Sequence, residues 1–144
     1  MKVVVQRSGK ACVRVSGKMI SQISEGLVLL VGFCCEDTLD KIPNFVKKIV
    51  NLRIFPDEND IMNKSILEYG GEVLSISQFT LYGECERGNR PSYFRAMKNE
   101  EAIKFYEYFN GELEKYVSVS KGIFGADMEV EFTNIGPTTI LLER

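Results

Sequence analysis

Gly26-Leu27-Val28-Leu29-Leu30-Val31-Gly32-Phe33 runs through eight residues without a polar side chain. A strand with one wet face alternates apolar and polar residues. A run without alternation reads as a strand covered on both faces, in the middle of a sheet. Upstream, Val3 and Val5 alternate with Lys2, Val4 and Gln6, and Ala11, Val13 and Val15 alternate with Cys12 and Arg14. Ser16-Gly17 is a turn signal, and Met19 to Ile23 begins the return strand, so residues 2–34 read as a β-meander around the central run.

Downstream, Asp37-Thr38 can cap a helix whose first turn tolerates Pro43. Ile42, Phe45, Val46, Ile49 and Leu52 recur at helical spacing with Lys47 and Lys48 outside the stripe, the pattern of a helix face packed on a core. Phe55 to Asp60 reads as a solvated acidic loop, because it lacks the glycine and terminal glutamate of a calcium-binding EF-hand loop. Gly70-Gly71 turns the chain into a strand from Glu72 to Leu81, and residues 83–98 are irregular, with Gly83, Gly88 and Pro91. Asn99 caps a second helix with Ala102, Tyr106, Phe109 and Leu113 on its inner face. A strand from Met128 to Thr133, a corner at Gly136-Pro137 and a last strand from Thr139 to Leu142 complete the chain. The expectation is a single α+β domain over residues 1–144: antiparallel or mixed sheet layers of about seven to eight strands, with two helices packed on one side. Two helices leave an apolar sheet face spare, to be buried by a dimer partner or by a second sheet layer.

Composition narrows the chemistry. With 144 residues, 44% hydrophobic and 26% charged, the chain reads as an ordinary globular protein. No apolar run approaches the roughly 20 residues of a membrane span, and the N-terminus turns polar too soon for a signal peptide. Cys12, Cys34, Cys35 and Cys85 show no metal or disulfide spacing, so a reducing cytoplasm is the expected location. The absence of histidine removes the commonest zinc ligand and the commonest general base together, and no metal or other cofactor is expected. A net charge of −2 argues against wrapping a long nucleic-acid backbone but leaves room for gripping the tip of one. Arg87, Arg90, Arg95 and Lys98, interrupted by Glu84 and Glu86, read as a solvated loop before a binding patch.

Two stretches resist a purely structural reading. Ser77-Gln78-Phe79-Thr80-Leu81 puts hydroxyl and amide groups at the end of an apolar strand, where they can face a ligand. Asn134-Ile135-Gly136-Pro137-Thr138-Thr139 is, read locally, a hairpin corner. Together with Val4-Val5-Gln6-Arg7, Asn51-Leu52-Arg53-Ile54-Phe55, Gly70-Gly71, Arg90-Pro91-Ser92 and Phe124-Gly125-Ala126-Asp127-Met128, they give the chain an end-to-end resemblance to the D-aminoacyl-tRNA deacylase family. That family hydrolyses D-amino acids from mischarged tRNA. Asn89 stands where a basic residue is expected, and Tyr93-Phe94 follows Ser92 where a phenylalanine is usual; both bear on how the loop at 87–95 meets RNA.

The resemblance implies a homodimer acting on the 3′ end of aminoacyl-tRNA, with neither DNA nor membrane as partner. In it the Gly136-Pro137 corner, cis in this family, reaches into the partner's site beside Ser77, Gln78, Phe79 and Thr80. Main-chain carbonyls there would form a wall against L-amino acids, while glycine, with hydrogen in both directions, would pass. Arg7 would hold that corner still, or serve as an ordinary edge-strand arginine; Asn134 and Thr139 belong to the same signature. Unactivated Ser77 and Thr80 hydroxyls are poor nucleophiles, which favours attack by water, with N–H groups near Phe79 and Thr80 stabilising the oxyanion and the ribose 2′-hydroxyl assisting. Gln78 would bind the terminal adenosine or brace the strand. Phe79 reads as a packing residue whose main chain is the useful part, and Phe124 or Tyr93 would stack on adenine or pack in the core. The alternatives are a non-catalytic module for tRNA acceptor ends and a deacylase relaxed towards small L-residues.

Overall fold

A computed structural model describes residues 1–143. Strand β1 (Lys2–Val15) is 14 residues long, and β2 (Lys18–Ile23) and β3 (Gly26–Gly32) return along it as one extended hairpin turned at Ser16-Gly17. Val5 pairs with Leu29 and Ala11 with Ile23, antiparallel throughout. On its other edge β3 pairs in parallel with β6 (Glu72–Ser77), Val31 opposite Ser77, and β6 pairs in parallel with β7 (Val119–Lys121). The apolar run at 26–33 is therefore central, flanked by β1 and β6, and Leu27, Val28, Leu29 and Val31 are all buried. A small second sheet joins β4 (Phe55–Pro56) to β5 (Met62–Lys64).

One face of the main sheet carries Val3, Val5, Leu27, Leu29, Val31 and Val73 against helices α1 (Ile42–Val50) and α3 (Asn99–Leu113). Their inner stripes follow the spacing, Ile42, Phe45, Val46 and Ile49 on α1 and Ala102, Tyr106, Phe109 and Leu113 on α3, except that α1 ends at Val50 and Leu52 packs on the core from the segment beyond it. Phe33 meets Phe105 and Phe109 edge-on, with ring centroids 5.7 and 6.3 Å apart, a geometry worth about 0.5–1.5 kcal/mol per pair beyond area burial. The sheet curls so that its other face closes on a second, smaller core of Ala11, Val13, Ile23, Val28, Leu74 and Ile76, with Met128, Val130 and Phe132 packed against it. Much of the spare apolar face is thus covered by the curled part of the same sheet. The cross-strand row Ile76, Leu30, Val4, Leu141 stays partly open, ending at Leu141, which is 56% exposed.

Several expectations need correction. Phe55 opens the segment read as a solvated loop, yet it is buried and, in β4, pairs with Lys64. Thr38 makes no side-chain cap; Asp37 instead accepts from the Cys34 N–H at 2.8 Å and pairs with the N-terminal ammonium. Asn99 is the first helical residue of α3 and Lys98 its cap position. A short helix, α2 (Ile66–Tyr69), went unread although Ser65 and Glu68 form a reciprocal capping box, a signal present in the sequence. Gly136-Pro137 does not reverse the chain: strand β8 (Glu129–Glu143) runs through it, antiparallel to β1 on both sides.

Candidate functional site

The Gly136-Pro137 segment is a bulge. Gln6 pairs with Thr139 and Ser8 with Asn134, so five residues of β8 span two of β1 and the excess is pushed out of the ladder. The Gly136-Pro137 peptide is cis, and Gly136 has φ +119, a region closed to most L-residues. Asn134 closes the bulge from within: its carbonyl accepts from the Thr138 N–H at 3.0 Å, and its amide donates to the Thr139 hydroxyl at 2.8 Å. Gln6 donates to the same hydroxyl at 3.3 Å. Arg7, left without a partner opposite on β8, donates to the Ile135 carbonyl at 3.3 Å and to the Ile54 carbonyl at 2.8 Å. An open pocket of about 700 Å³ lies alongside, lined by Arg7, Phe55, Met62, Tyr69 and Ile135 to Thr138.

The second signature sits where β6 ends. The expected strand to Leu81 stops at Ser77, and Phe79 to Tyr82 coil into a 3-10 turn. The Gln78 N–H is used up on the Val31 carbonyl at 2.7 Å, so the sheet fixes the point at which the chain leaves it. The N–H groups of Phe79 and Thr80 open the turn and have no acceptor within it. The Gln78 side-chain amide donates to the Thr80 hydroxyl, which braces the turn. Phe79 is not a core residue. It is 53% exposed and meets Tyr93 edge-on at 4.9 Å.

Ser77, Gln78 and Phe79 line a cleft of about 350 Å³ together with Met97, Asn99, Ala102, Met128 and the segment Phe124 to Asp127. Thr80 stands exposed outside that lining. Phe124 is half-buried, its ring centroid 5.9 Å from that of Tyr106, so it packs and lines the cleft at once. Tyr106 in turn donates to the Ser75 carbonyl at 2.7 Å, and burial pushes its phenol pKa up, keeping it a neutral donor behind the wall. Asp127 is the one carboxylate of the lining; its motif was read but Asp127 was given no role, and Met97 and Asn99 were missed because only the fold brings them to β6. Among the described residues no group of three or more His, Cys, Asp or Glu could hold a metal ion, and no helix is long and apolar enough to cross a membrane.

Within one chain the two signatures do not meet. The cleft and the pocket beside the bulge share no residue. Ser77 lies in register with Val31 and Val3, whereas the bulge faces Arg7, in register with Leu27 and Val73. That is four residues along the sheet, about 13 Å, and three strand spacings across it, about 14 Å.

The family model described as D-Tyr-tRNA(Tyr) deacylase matches residues 4–143. Proteins named D-aminoacyl-tRNA deacylase from Brevibacillus brevis and Bacillus cytotoxicus are 49% and 50% identical over 144 residues, covering 99% of this chain and 99% of each relative. A solved structure named c-Myc DNA Unwinding Element Binding Protein superposes with a TM-score of 0.94 at 42% identity, covering 100% of this chain and 99% of that one. The end-to-end match in sequence and in fold establishes that this chain is a member of the D-Tyr-tRNA(Tyr) deacylase family.

Proposed function

We propose that this protein hydrolyses the ester bond of D-aminoacyl-tRNA, and of glycyl-tRNA, releasing the amino acid and free tRNA as chiral proofreading in translation in the cytoplasm. The observation that carries the reading is the cleft at Ser77 to Phe79. Its lining holds no histidine or lysine to activate Ser77, and the Phe79 and Thr80 N–H groups open the turn at its edge, in a chain about half identical to named deacylases along its whole length. Water attacks the ester carbonyl, and the Phe79 and Thr80 N–H groups stabilise the oxyanion, each worth roughly 2.7–4 kcal/mol. The carbon–oxygen bond to the ribose then breaks and the departing oxygen takes a proton, with the vicinal 2′-hydroxyl positioning the water or relaying that proton.

A second copy completes the site. Its Gly136-Pro137 bulge, held by Arg7, Asn134 and Thr139, presents main-chain carbonyls to the substrate's Cα and rejects the L-hand by clash. The homodimer is supported by the separation of the two signatures within one chain and by the open row ending at Leu141. Gln78, braced on Thr80, keeps the turn in shape.

A deacylation assay with D-tyrosyl-, L-tyrosyl- and glycyl-tRNA tests the reading: turnover of the first and third but not the second is expected. Binding without turnover would leave only an acceptor-end module, and cleavage of L-alanyl-tRNA would mark relaxed specificity. A terminal 2′-deoxyribose should abolish hydrolysis. A Ser77→Ala, Thr80→Ala double variant that binds but has lost nearly all turnover would replace the water route with a covalent one.

A further inference from the structure

Phe94 is 91% exposed, beside a cleft that the preceding reading assigns to the aminoacylated end of tRNA. An aromatic ring left so fully in water forgoes its hydrophobic burial, and here it is not on a loose tip. The Ala96 N–H donates to the Tyr93 carbonyl at 3.0 Å, so residues 93–96 form a β-turn with Phe94 and Arg95 at its corner. Both ends of the turn are pinned. Tyr93 rests edge-on against Phe79 and against Gly83, where an added Cβ would sit 3.1 Å from its ring. On the other side Cys35 donates to the Arg95 carbonyl at 3.1 Å and Met97 to the Phe33 carbonyl at 3.0 Å, while Glu84 and Ser92 exchange hydrogen bonds of 2.8 and 2.9 Å. The backbone that carries the ring is therefore anchored on both sides, by the segments that follow β3 and β6. Around it, residues 84–98 carry four cations and two carboxylates, a local +2 in a chain of net charge −2.

We propose that Phe94 is a stacking platform for the unpaired nucleotide immediately before the terminal adenosine of the tRNA 3′ end, with Arg90 and Arg95 beside its phosphates. The inference rests on the deacylase reading for the position of the adenosine. With that base in the cleft, a strand leaving past Phe79 and the Tyr93 ring packed against it meets Phe94 next in the chain. Stacking needs a free base face, which a single strand offers and a duplex hides, and it accepts any base. A rigid turn loses little entropy on binding, and Arg90 and Arg95, the latter exposed and 3.6 Å from Glu36, supply attraction to phosphate.

The experiment compares wild type, Phe94→Ala and Phe94→Trp on two substrates, D-tyrosyl-tRNA and D-tyrosyl-adenosine, the second having no upstream nucleotide. Phe94→Ala should lower kcat/KM on the long substrate more than on the short one, by a factor between about 5 and about 150 and through KM, and Phe94→Trp should restore it. Equal losses on both substrates, or none on either, overturn the platform. So does a change of oligomeric state in Phe94→Ala by sedimentation, which would make the ring a contact between copies. Binding of an uncharged RNA minihelix with a single-stranded 3′ tail, read in parallel, separates the two readings. If wild type turns over neither ester but Phe94→Ala weakens tail binding, the deacylase reading fails and the platform stands. If tail binding is the same in both, the platform is overturned.

Discussion

Arg7 donates through Nε to the main-chain carbonyl of Ile135 at 3.3 Å, one residue before the Gly136-Pro137 bulge. Its Nη1 reaches the Ile54 carbonyl at 2.8 Å, so one side chain ties the bulge to the segment after α1. Arg7→Ala leaves both carbonyls short of a donor and should cost on the order of 2 kcal/mol, read as a lower urea midpoint at unchanged slope. The same variant should raise turnover of L-tyrosyl-tRNA relative to the D-ester. Lysine cannot span both carbonyls with one fork, so Arg7→Lys should not rescue discrimination. Unchanged D/L selectivity in Arg7→Ala would remove Arg7 from chiral selection and leave the bulge to the Asn134 bonds alone.

Gly32 approaches the turn that carries the proposed oxyanion donors. A Cβ there would lie 2.8 Å from the Gln78 carbonyl oxygen and 3.3 Å from Leu81 Cβ, so Gly32→Ala must shift the backbone just before Phe79. Stability should fall by about 1–3 kcal/mol, as for other overpacked positions. The turnover number should fall by up to roughly 100-fold, since a displaced donor no longer meets the charge developing on the ester. Wild-type turnover in a folded Gly32→Ala protein would show that those amides do not place the reacting atoms.

Asp127 lines the cleft and is its one carboxylate. If water attacks without a side-chain base, Asp127→Asn should lose far less than the roughly 100-fold that marks a missing general base. Single-turnover deacylation, with enzyme in excess, measures the chemical step directly. A loss of 100-fold or more would make Asp127 the base and retire the main-chain-only mechanism.

Asp57 predicts a pH dependence of folding. Its carboxylate accepts from the Asn59 and Ile61 N–H groups at 2.9 and 3.1 Å and from the Asn63 amide at 3.0 Å. These bonds, the one from Asn59 foremost, hold its pKa below the ordinary aspartate range. A carboxylate depressed in the folded state contributes stability above the unfolded value, about pH 4, and that contribution is lost as pH falls through the folded pKa. Asp57→Asn should therefore be less stable than wild type at pH 7, and the gap should close towards pH 2. Chemical denaturation at several pH values reads this; a gap independent of pH would assign the loop's stability elsewhere.

The sheet centre was legible because Gly26 to Phe33 had no alternation to misread, and the two long helices because their stripes fill a single face. The Gly136-Pro137 segment was misread as a reversal. Corners and bulges ask for the same backbone freedom, and only the distant pairing of Gln6 with Thr139 and Ser8 with Asn134 distinguishes them. The apolar pattern runs on to Leu81, but the ladder with β3 ends where Val31 faces Ser77, so the chain leaves the sheet there. Ser77 to Leu81 stands out by its polar groups at a strand end, but the pairing of the two signatures in one site comes from family resemblance. The neighbours that turn Ser77 to Phe79 into a cleft, Asn99 and Met97 among them, arrive from more than 15 residues away through the docking of α3.

The bulge and the cleft sit in different parts of one chain, and under the proposed arrangement each working centre borrows its gate from the neighbour. A protein with its gate opened at Gly136 would cleave both hands, and a Phe79→Pro protein, lacking that amide donor, would cleave neither. Unfolded together and renatured as a mixture, they would form mixed pairs with one intact cleft facing one intact gate. Selectivity for the D-hand would then return in a mixture where neither parent had it, the signature of a catalyst whose smallest faithful unit is a pair.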